Sequence, residues 1–102
     1  MTNEGLHESP DKLSAQTLDM HRAIASLREE LAALDGYNQR FDACTDPELK
    51  RILAHNRDDG KERAAMLLEW IRRRDPRMDH ELRDKLFKAG PIATPHHHEI
   101  KP

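Results

Sequence analysis

Between Asp11 and Phe41 the chain has no proline and one glycine, Gly36, and its large apolar residues recur in steps of four and three. They are Met20, Ile24, Leu27, Leu31, Leu34 and Phe41, with Asn38 holding the register between the last two. That alternation is the signature of a coiled-coil seam, so the segment predicts one long helix over 11–41 that must bury a stripe against a partner. A second row steps the same way: Leu49, Leu53, Asn56, Gly60, Arg63, Leu67 and Trp70. A further apolar row, Ile52, Ala64, Met66, Leu68 and Ile71, widens it. Between the two rows lies Thr45-Asp46-Pro47-Glu48. Thr45 or Asp46 can cap a helix, Pro47 suits its first turn and Glu48 suits the positive end of its dipole. The second helix therefore runs from about Pro47 to Asp75 and stops before Pro76. A link this short forces an antiparallel hairpin.

A shorter third helix is expected from about Asp79 to Ala89, with Leu82 and Leu86 on one face and Gly90-Pro91 ending it. Residues 1–10 read as a disordered lead, 11–90 as the helical domain and 91–102 as a disordered tail. The fold class is all-α: a two-helix hairpin plus a short third helix. Hydrophobic residues make up 36% of the chain and charged residues 35%. So polar and short a chain has difficulty closing a core alone, and oligomerisation is the ordinary remedy. Two chains would complete a four-helix bundle. The net charge of −2 gives no electrostatic reason to expect nucleic acid. No stretch approaches the roughly 20 apolar residues of a membrane helix. The single cysteine, Cys44, provides no internal disulfide and fits a cytoplasmic, reducing setting.

The informative residues are the polar ones that interrupt the seam. Asn56, Gly60 and Arg63 hold consecutive seam positions on helix two. A glycine inside a helix costs about 1 kcal/mol against alanine, and an arginine in a seam needs a carboxylate or water. Helix one offers Glu29 and Glu30 between Leu27 and Leu31. In an antiparallel hairpin turning near residues 43–46, Glu30, Gly60 and Arg63 should lie at one level.

The run from His21 to Pro76, including TDPEL, ILAHNRD and the LEW-IRR block, resembles the encapsulated ferritins. The resemblance implies a half-ferritin that dimerises to rebuild the four-helix ferritin bundle and assembles further into a decameric ring. It also implies iron as the metal, ferrous iron oxidation at the dimer interface, and residence inside an encapsulin shell in the cytoplasm. The family's metal ligands are a glutamate on helix one, then a glutamate and a histidine three residues apart on helix two. By position these are Glu30, Gly60 and Arg63. Glycine has no side chain, and arginine is a cation without a lone pair for iron. Two neighbouring family positions, a tryptophan and an acidic residue, are Gly36 and Ala32 here. The residues therefore leave the ferroxidase chemistry open while the flanks keep the architecture.

Two readings follow. One is an encapsulated-ferritin-like protein of iron storage or oxidation with a degenerate di-iron centre and weak or no ferroxidase activity, either a paralogue that co-assembles with an active one or a variant made to remove the site. The other is a non-enzymatic helical assembly module whose dimer interface pairs Glu30 with Arg63 across the two chains, with Gly60, Asn56 and Tyr37 as further interface residues. A separate constellation, His55, Asp59 and Glu62, is spaced i, i+4, i+7 on helix two and suits Ca²⁺ or Zn²⁺. The candidate metal residues are thus Glu29, Glu30, His55, Asp59 and Glu62.

Overall fold

The computed structural model describes residues 5–93. Residues 1–4 of the expected lead and 94–102 of the expected tail, with the His96–His98 run, lie outside the described residues.

The chain forms the all-α hairpin that the two seams predict: α1 (Ala15–Ala43), α2 (Pro47–Arg74) and the short α3 (Pro76–Lys85). Helix α1 starts four residues later than the apolar pattern suggested. Pro10–Lys12 form one tight 3₁₀ turn, and Ser14 then stands in extended backbone with its hydroxyl accepting from Thr17 N–H at 3.1 Å. A serine cap placed there outweighs mere absence of a breaker upstream. Before that turn, Gly5 lies against the outside of α1, in the left-handed region at φ 83° and beside His21.

Between Thr45 and Asp46, the cap of α2 is Asp46, whose carboxylate accepts from Leu49 N–H at 2.8 Å. Pro47 follows as the first helical residue, where its missing N–H costs nothing. The three residues between the helices, Cys44 to Asp46, leave only an antiparallel return. Its register is visible at both ends. The Phe41 ring carries Lys50 Nζ at 4.4 Å and the Arg57 guanidinium at 5.0 Å. At the far end Trp70 and Leu67 line a cleft with Asp19 and Ala23.

Pro76 does more than end α2: it opens α3. Asp75 lies between the two helices, donating its N–H to Ile71 O and accepting from Met78 N–H at 3.0 Å. Helix α3 therefore begins three residues before Asp79 and ends at Lys85, short of Ala89. Leu86 leaves the helix and Phe87 turns left-handed at φ 58°, ahead of the Gly90 expected to stop it. Arg72 joins α2 to α3. It grips Glu69 with two nitrogens, at 2.8 and 2.7 Å, and donates a third hydrogen bond to Asp79. Arg72, then Arg73, holds the Glu69 carboxyl down to about 2, and Arg72, then Arg83, holds Asp79 below the usual carboxylate range.

The two long helices pack side by side in one layer. Such a layer has two broad faces and almost no interior. Ala23 and Ile71 are the only buried apolar side chains among the described residues, while Leu31 stays 51% and Met66 59% exposed.

Candidate metal centre

Midway along the hairpin, α1 and α2 bring three residues to one level. Glu30 points from α1 toward α2, and Arg63 Nε donates to Glu30 Oε2 at 3.0 Å. Gly60, one turn before Arg63, is buried beneath this pair. A Cβ at position 60 would meet Glu30 Oε1 at 3.4 Å and Arg63 Nη2 at 3.6 Å. Helical backbone tolerates any residue at Gly60. A Cβ there would make ordinary van der Waals contact, so the ion pair closes over the glycine without taking the place of a side chain. The hydrogen bond from Arg63 to Glu30, then the charge of Glu30, with Asp59 and Glu62 adding, raises the guanidinium pKa above its ordinary value. Arg63 is a fixed cation at this level.

In the single chain the pair forms within the hairpin, whose register brings α1 and α2 within reach of each other. The pair borders an open cleft of about 650 Å³ on one broad face, walled by Asp19, Arg22, Ser26, Met66, Leu67 and Trp70. Asp19 and Arg22 pair with each other at 2.6 Å. Sequence reasoning missed both as cleft residues. Their i, i+3 spacing of opposite charge was the available signal. Trp70 lies in the cleft wall with Arg74 over its ring at 4.6 Å.

The other candidates fall elsewhere. Glu29 is exposed on α1. Tyr37 and Asn56 are half-buried, and Arg40 covers the Tyr37 ring at 5.0 Å. His55 Nε2 and Asp59 Oδ2 pair at 3.2 Å in open solvent. Glu62 does not join them. Among the described residues no three His, Cys, Asp or Glu side chains converge as a metal site. Ca²⁺ or Zn²⁺ at this trio gains no support from the structure, in which His55 and Asp59 pair without Glu62.

The family-implied iron site fails the same test. One carboxylate, one hydrogen and one guanidinium are no donor set for a transition metal, which asks for carboxylates and imidazoles. As it stands, the level binds charge to charge.

The model of one protein family, described as EncFtn-like, matches residues 5–89. A Rhodospirillum rubrum protein named "encapsulated ferritin-like protein" is 54% identical over 91% of this chain. The alignment covers 66% of that relative, so the chain spans just under two thirds of its length. A Thermotoga maritima "ferritin-like protein" is 45% identical over 85% of this chain and 76% of its own length. The crystal structure of a Nitrosomonas europaea protein superposes with a TM-score of 0.86 at 65% identity, covering 89% of this chain and all of that one. A half-bundle of two long helices with a short third, matched along most of its length at these identities, belongs to the encapsulated ferritin family.

Proposed function

We propose that this chain is an encapsulated-ferritin-like protein that keeps the family's assembly but has exchanged the di-iron centre for an ion pair. The observation that carries the reading is the Glu30–Arg63 hydrogen bond at 3.0 Å, seated over Gly60. In the family, metal cations neutralise carboxylates at this level. Here the arginine supplies the positive charge from within the protein.

The exposed apolar residues on the two broad faces support a homodimer that completes the four-helix bundle. Ile52 and Met66 lie on the Arg63 side of α2 and are 53% and 59% exposed. A monomer presenting such a stripe has reason to cover it. A decameric ring, cytoplasmic residence within an encapsulin shell, and a place in iron storage beside a ligand-complete paralogue belong to the same proposal. They rest on the family. Among the described residues no helix is long and apolar enough to cross a membrane. Iron in this reading is cargo handled by the assembly, and no chemical step on it is assigned to this chain.

The test is ferrous iron in air, with ferric absorbance followed against a no-protein control and a ligand-complete family member. The chain is expected to track the no-protein control. A rate clearly above it would return the chain to the ferroxidases.

A further inference from the structure

We propose that α3 is a detachable arm, latched to α2 by a chain of ion pairs rather than by apolar packing, and released by ionic strength. The junction between the two helices is one residue, Asp75, and α3 leaving the α2 surface turns about it. Helix α3 contributes no buried residue. Of its apolar side chains Leu82 is half-buried, while Met78 is 37% exposed; just beyond it Leu86 is 42% exposed and Phe87 fully exposed.

What spans the junction is charge. Arg73 Nε holds Glu69 Oε2 at 2.6 Å, Glu69 holds Arg72, Arg72 holds Asp79, and Asp79 accepts from Arg83 Nε at 2.9 and 3.1 Å. Within this chain of pairs, the Arg72–Asp79 link is the one that crosses from α2 to α3. The groups facing it are Glu69 and Arg73 from α2 and Arg83 from α3. The latch is partly wet: Arg72 is 24% and Asp79 30% exposed in their side chains. Salt therefore reaches it. The screening length falls from about 30 Å at 0.01 M to about 3 Å at 1 M ionic strength. Apolar contacts respond in the opposite sense, because salting-out strengthens burial. On release, the arm carries Leu86 and Phe87 away from the α2 surface, where with Leu82, Arg72, Arg83 and Glu69 they line a shallow groove.

Amide hydrogen exchange of the full chain tests this, with the mass of the assembly held constant and checked by light scattering. From about 0.02 M to about 1 M NaCl, exchange within residues 76–85 is expected to accelerate about ten-fold, while residues 20–40 hold steady. Asp79→Asn should reproduce most of the acceleration at low salt and shrink the further response to salt. Leu82→Ala should leave the salt response in place. Protection of 76–85 that is indifferent to salt, or that Leu82→Ala removes and Asp79→Asn does not, overturns the proposal. If Asp79→Asn unfolds the whole chain, the wild-type salt series decides alone.

Discussion

Replacing Gly60 by glutamate and Arg63 by histidine together is expected to raise ferrous iron oxidation about ten-fold or more above the no-protein control. The backbone at position 60 is ordinary helix, and an added Cβ would stand 3.4 Å from Glu30 Oε1 and 3.6 Å from Arg63 Nη2, ordinary van der Waals contact. Removing the glycine also favours the helix by about 1 kcal/mol. The arginine change is the decisive half. While Arg63 stays, any second carboxylate at this level finds a guanidinium instead of a metal. With both changes, each chain offers two carboxylates and an imidazole, and a dimer doubles that set. Neither single change should suffice. Gly60→Glu leaves the cation in place, and Arg63→His leaves Glu30 as the only carboxylate. Absorbance kinetics on the two single variants and the double variant check the order. Activity in either single variant equal to that in the double would contradict it.

The second large effect concerns assembly. Arg63→Glu is expected to weaken self-association about a hundred-fold or more, with helix content by circular dichroism unchanged. In the isolated chain the pair is wet, with Arg63 51% and Glu30 22% exposed in their side chains. Reversing one charge there should barely disturb the hairpin, since exposed pairs are screened and contribute little. Beneath a second copy the same two carboxylates face each other without water, and an uncompensated buried charge is costly. The difference between the two settings is what analytical ultracentrifugation would read. Glu30→Arg combined with Arg63→Glu restores the pair with its sense reversed, and association should recover. Unchanged association of Arg63→Glu would mean that no second copy covers this face.

The two long helices were legible because their seams obey one period and Asp46-Pro47 marks the start of the second. The level of Glu30, Gly60 and Arg63 was legible too, since a three-residue link fixes which residues of an antiparallel pair stand opposite. The ends were harder. Ser14 competes with Asp11 as a place to start α1, and only the geometry of the Thr17 N–H decides between them. Pro76 looks like a stop from its N-terminal side and serves equally as a first helical residue once Asp75 caps it. Helix α3 is held by Arg72 reaching over from the preceding helix, a contact that periodicity does not record.

The candidate site divides along the same line. A ligand position filled by glycine or arginine can be recognised from residue chemistry alone. That Arg63 bonds Glu30 of its own chain depends on how far a guanidinium reaches across two packed helices. The His55, Asp59 and Glu62 row shows the limit of spacing as an argument. One helix face placed them in line, but a shared ion needs their side chains to converge, and on a straight helix only neighbours one turn apart pair.

On the proposed reading Arg63 supplies the positive charge at the level where the family holds metal, so assembly needs no iron. The direct measurement is the solution mass of the metal-stripped chain, by light scattering, before and after anaerobic addition of Fe²⁺. An oligomer of the same mass is expected in both. A monomer that assembles only when Fe²⁺ is added would contradict it.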